Sequence, residues 1–144
     1  MKYLLLLGLI VAGGVYYCSL NERTTLAPYT DLNSALSTAY DEEKYLFILL
    51  GREHCPNCRA LRNYIEKRQV KLSEDRFILV DLNCDDPTSL RTFQERFQAD
   101  GNELPVVVVA DSYGRQFATR SGFGNPAEFN SLINDAVAHI ERGF

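Results

Sequence analysis

The sequence predicts an α/β domain: a central mixed sheet of four or five strands flanked by helices. Three observations predict it. Short apolar runs recur at residues 45–50, 77–82 and 105–109, and the first is apolar on both faces, as a covered central strand is. Segments with apolar residues at the 3.6-residue helical period separate and flank these runs. Asp111-Ser112-Tyr113-Gly114 reads as a hairpin turn into a fourth strand at residues 115–119. The resulting order, α-β-α-β-α-β-β-α with no internal repeat, combines a parallel part with a terminal β-hairpin.

Taken in order, the chain begins with Lys2 and an apolar run over residues 3–18, interrupted only by small residues. The run is short of the roughly 20 residues of a relaxed membrane-spanning helix. Residues 1–20 are therefore expected to be a signal anchor closed by an aromatic belt at Tyr16 and Tyr17, or a cleaved signal peptide with its small residues at Ala12 and Gly14. Lipidation at Cys18 is disfavoured by the bulky Val15-Tyr16-Tyr17 before it. Either main reading exports the domain to the outer, periplasmic side of a cytoplasmic membrane, a disulfide-handling compartment.

Residues 21–30 are polar, contain Pro28, and read as a linker; residues 31–144 read as the folded domain. With 144 residues in all, what remains after the leader is enough for one hydrophobic core and too little for two. Asp31 or Asn33 can cap a first helix carrying Leu32, Ala35, Leu36, Ala39 and Tyr40. Asp86-Pro87 supplies a cap and a first-turn proline for a helix with Leu90, Phe93 and Phe97. Asn125-Pro126 with Glu128 does the same for the last helix, whose Phe129, Leu132, Ile133, Ala136, Val137 and Ile140 form one core-facing stripe. A hydrophobic content of 46% argues against wholesale disorder, and a net charge of −4 without a basic block argues against nucleic acid as a partner.

The chemistry lies in Cys55-Pro56-Asn57-Cys58, a C-x-x-C that opens the second helix. At a helix start, unpaired N–H groups and the helix dipole stabilise a thiolate on Cys55, making it the better nucleophile. Cys58, one turn further in, is placed to attack the resulting mixed disulfide. Pro56 is tolerated there because a first-turn N–H has no helical partner. A zinc site would need a second ligand pair, which His54, Cys84 and His139 do not supply, so no metal and no other cofactor is expected. Haem attachment would need His where Arg59 stands. A permanent structural disulfide stays open, although a loop this short stabilises little. His54 and Arg59 are candidate modulators of the thiolate. Cys84 reads as a small buried hydrophobe or a third redox thiol, and His139 as complementing the negative end of the last helix.

Cys-Pro-Asn-Cys after a buried strand resembles the thioredoxin superfamily, as do Asp81-Leu82-Asn83-Cys84-Asp85-Asp86-Pro87 and Leu104-Pro105 before the third strand. The resemblance covers about residues 31–140, and the domain looks especially like the electron-delivering modules of membrane thiol reductases. It implies a thioredoxin-like fold, Cys55 as attacking and Cys58 as resolving thiol, and Pro105 as a cis-proline facing them. It further implies that Leu104 offers hydrogen bonds to the backbone of a bound substrate. Three positions depart from the family pattern: His54 stands for the usual Trp, Leu49 for a buried acidic residue, and Pro-Asn for the residues between the cysteines.

The expected function is a thiol–disulfide oxidoreductase acting on protein thiols and disulfides outside the cytoplasm, with reduction favoured over oxidation and a transmembrane thiol reductase as its electron donor. The alternative is a redox-inert binding or assembly module on the same fold. Copper or haem-maturation chaperoning receives little support from one Met and two His.

Overall fold

The computed structural model describes residues 26–143. The anchor or signal at 1–20, Cys18 and the start of the linker therefore lie outside the described residues. Eight elements follow: α1 (Leu32–Glu42), β1 (Tyr45–Gly51), α2 (Pro56–Glu66), β2 (Phe77–Asn83), α3 (Pro87–Gln94), β3 (Val106–Ala110), β4 (Gln116–Ser121) and α4 (Pro126–Glu141). The order is the expected one. The fourth strand begins one residue later than its turn implied and runs on to Ser121.

Four strands form one sheet in the order β2-β1-β3-β4. β1 runs parallel to β2 and antiparallel to β3, and β3 pairs antiparallel with β4. Because side chains alternate along a strand, the apolar runs feed two cores at once. Leu46, Ile48 and Leu50 face α1 and α3, meeting Leu32, Ala35, Ala39 and Phe93. Phe47 and Leu49 face the other layer, where Leu61 of α2 and Phe129, Ile133, Ala136 and Val137 of α4 close over them. This double coverage is why β1 and β3 read as unbroken apolar runs.

The linker assignment of residues 21–30 needs a correction at its C-terminal end. The Tyr29 N–H donates to the Leu79 carbonyl and the Asp81 N–H to the Tyr29 carbonyl, each at 2.8 Å, which adds a single parallel bridge to the outer edge of β2. Leu26 packs on the α2–α4 core. A polar stretch with one proline thus carries sheet-edge residues that short-range pattern does not reveal.

Each helix starts on a side chain that accepts from its N3 backbone N–H. Asp31 accepts from Ser34, Asp86 from Ser89 and Asn125 from Glu128, the last completed by Glu128 accepting from the Asn125 N–H. In α2 the same place is held by a sulfur.

Candidate active site

Cys55 is the N-cap of α2: its backbone is extended, and its Sγ accepts from the Cys58 N–H at 3.2 Å. It stands where Asp31 and Asp86 stand in their helices, so the geometry that suits a carboxylate there suits a thiolate here. Burial raises the Cys55 pKa. The Cys58 thiol, the Cys58 and Asn57 N–H groups and the Arg62 charge outweigh it, and the net direction is down. Cys58 is fully buried, and burial, followed by its hydrogen bond with Cys55, pushes its pKa up to about 11. The half-exposed thiol is the one that ionises first, and the buried one keeps its proton. All three described cysteines are free thiols.

The sheet brings the Leu104–Pro105 segment to the same edge. Leu50 pairs with Val106, so Pro105 falls beside Gly51, the last residue of β1 before the cysteine loop. Gly51 has no room for a side chain: a Cβ there would lie 2.9 Å from the Cys58 Sγ. The Leu104–Pro105 peptide is cis, Pro105 is buried and Leu104 half-buried. The Gly122 N–H donates to the carbonyls of both Glu103 and Pro105 at 3.0 Å, seating the loop after β4 against this segment and holding Phe123 beside it, 57% exposed.

Of the candidate modulators, His54 is exposed in the loop and Arg59 is exposed on the rim of a shallow groove with Glu53, Asp81 and Asn83. The charge that acts on both thiols belongs to Arg62. Its Nε donates to Asp81 Oδ2 at 2.7 Å, its Nη2 to Asp81 Oδ1 at 2.9 Å and its Nη1 to the Arg52 carbonyl at 3.2 Å. Leu49 is buried and pairs with Asp81 across the β1–β2 ladder. The acid absent from β1 thus stands one strand over, already engaged by a guanidinium. Cys84 is half-buried: its N–H donates to the Gly51 carbonyl at 2.8 Å, and its Sγ accepts from Arg52 Nη2 at 3.6 Å.

Gly51, Arg62 and Asp81 were not singled out as site residues in the sequence. For Arg62 a signal existed, since Cys55, Cys58 and Arg62 share one helical face at the i, i+3, i+7 spacing. Among the described residues no cluster of three or more His, Cys, Asp or Glu side chains is arranged to hold a metal ion, and no helix is long and apolar enough to cross a membrane.

No protein-family model and no curated protein matches the chain. Solved structures do. Thioredoxin f from spinach chloroplast is similar with a TM-score of 0.59 at 14% identity, over 80% of this chain and 98% of that one. A mutant thioredoxin from Halobacterium salinarum gives 0.58 at 14% identity, over 81% and 96%. Oxidised thioredoxin O2 from Arabidopsis thaliana gives 0.58 at 17% identity, over 78% and 94%. The chain has the thioredoxin-like fold, a mixed four-stranded sheet flanked by helices.

Proposed function

We propose that this protein is a thiol–disulfide oxidoreductase that reduces disulfides of protein substrates outside the cytoplasm through Cys55 and Cys58. The observation that carries the reading is the cysteine N-cap: a half-exposed thiol with a lowered pKa held over a buried, protonated partner. The Cys55 thiolate attacks one sulfur of a substrate disulfide, and the other leaves as a thiolate and takes up a proton. Cys58 then loses its proton and attacks the Cys55 Sγ, releasing the second substrate sulfur. Two electrons pass to the substrate, which becomes two thiols, while the protein becomes the Cys55–Cys58 disulfide. In this reading Pro105, which falls beside Gly51 at the same sheet edge, and Leu104 would line the path of a substrate backbone.

The reducing direction is part of the proposal and is read from the sequence resemblance. The lowered Cys55 pKa supplies the thiolate that opens a substrate disulfide. The apolar run at residues 3–18 supports a tether to the membrane, and a transmembrane thiol reductase would restore the dithiol. The test is trapping. The Cys58→Ala variant should accumulate mixed disulfides through Cys55 with exported proteins, and a Cys55→Ser, Cys58→Ala variant should accumulate none. If the single variant forms no adduct, the redox-inert binding module is the better reading.

A further inference from the structure

We propose that Arg62, held by Asp81, is a positioning residue that stabilises the Cys55 thiolate and so sets the reduction potential of the Cys55–Cys58 couple. The inference rests on the thiol-exchange reading and names what tunes that site. It begins from geometry. Arg62 lies one turn beyond Cys58 on the same face of α2, and its guanidinium is gripped on three sides. Two bonds go to Asp81 of β2, and one goes to the carbonyl of Arg52 in the loop that carries the cysteines. One side chain therefore ties β2, α2 and the loop together, with its charge held where it acts on both thiols.

A fork of donors in a fixed plane loses little freedom on binding, so the charge acts from one place and does not average over a mobile side chain. Arg62 is 32% exposed and Asp81 21% exposed, so solvent screens the pair in part. Cys58 and Arg62 from α2 and Arg52 from the loop after β1 act on Cys55, with Glu53, His54 and Arg59 its exposed charged or titratable neighbours in the chain. Asp81 of β2 stands behind Arg62, and Arg52 itself reaches Cys84 and Asp85 in the turn after β2. No carboxylate underlies the thiols from β1, because Leu49 fills that place. The charge that acts on both thiols is instead a cation on the helix, which favours the thiolate where an acid on β1 would oppose it.

The sign follows from which form holds the charge. The dithiol contains the thiolate and the disulfide does not, so Arg62 favours the reduced form, and its removal favours the disulfide. This holds only where Cys55 is ionised. In the reduced full-length chain, Arg62→Gln should slow alkylation of Cys55 by iodoacetamide at pH 7, read by peptide mass, about three- to tenfold. The equilibrium with glutathione should move towards the disulfide by a similar factor above the Cys55 pKa, and should not move well below it. Arg62→Lys, which keeps the charge and gives up the fork, should recover part of both effects.

In the wild type, 1 M salt shortens the screening length to about 3 Å and should shift the Cys55 titration upward. If Arg62→Gln fails to fold, Arg62→Lys decides the matter, since loss of the fork alone should shift the Cys55 titration part of the way. An unshifted titration in that variant overturns the assignment. A folded Arg62→Gln variant with unchanged titration and glutathione equilibrium overturns the assignment. If the wild type exchanges no disulfide at all, it is the oxidoreductase reading that falls, and the titration still reports on Arg62 separately.

Discussion

At the residue scale the site is a contrast between two sulfurs three positions apart. Cys55 caps its helix and gains backbone donors, whereas Cys58 is sealed beneath Gly51 and gains mostly desolvation. The contrast has a consequence for stability. An unfolded Cys58 ionises near its ordinary value of 9, while the folded one holds its proton to about 11. A group with a raised folded pKa contributes stability in full below the unfolded value and loses it as pH rises through the folded one. Reduced protein should therefore lose stability between about pH 9 and 11 relative to a Cys58→Ala variant, in which Cys55 is retained. Denaturant midpoints of the two across that range check it, and parallel profiles would show the burial of Cys58 to be without energetic effect. Cys55 behaves in the opposite sense, which is why the comparison is made against a variant that keeps it.

Elements are delimited by their first residues more than by their last. Asp31, Cys55, Asp86 and Asn125 each satisfy one of the unpaired N–H groups at a helix start. For Asp31 and Asp86 the hydrogen bonds from Ser34 and Ser89 hold the carboxyl pKa below its ordinary value, so their contribution is present at neutral pH and fades as the medium turns acid. Asn125 carries no charge and gives a cleaner test. Asn125→Ala removes the acceptor for Glu128 and should destabilise the fold by about 1 kcal/mol, with little change across acid pH. Chemical denaturation at pH 7 and pH 4 reads both parts. A loss that shrinks strongly in acid would point to the Glu128–Arg120 ion pair instead of the cap.

For the whole molecule, the two core layers do different work. The layer under α2 and α4 holds the helix that carries both cysteines, and Phe129 is its largest buried residue from α4, next to Gly124 and Arg120. Phe129→Ala should cost about 3 to 5 kcal/mol by the transfer and cavity terms. It should also loosen the loop after β4 that Gly122 seats on Pro105, so disulfide reduction should fall by more than the folded fraction accounts for. Activity measured against the fraction folded checks this; strict proportionality would confine Phe129 to stability. Distant loops are anchored to the same frame by paired amide bonds: Asn130 with Lys71 and Gln69, and Gln116 with Gln98.

Much of this was readable from the chain alone, because the signals are local. Periodicity marks a strand wherever both its faces are covered, as at residues 45–50, and cap chemistry marks a helix start within four residues, as at Asp86, Asn125 and Cys55. The motif and its order of nucleophile and partner follow from the same short-range logic. What needed the tertiary structure depends on residues brought together across strands. Leu49 and Asp81 are 32 positions apart in sequence yet register partners, so the missing acid and its displaced counterpart cannot be matched without the β1–β2 ladder. Tyr29 joins the edge of β2 through two backbone bonds that leave no mark on composition. Gly51 is required by the approach of a sulfur seven residues on, and Arg62 finds its role only when Asp81 and the Arg52 carbonyl arrive to hold it. The sequence by itself determined the elements, the caps and the reactive pair, since these are set within a turn or two of chain; the tertiary structure decided which charge stands beside that pair, since that is set by distance in space.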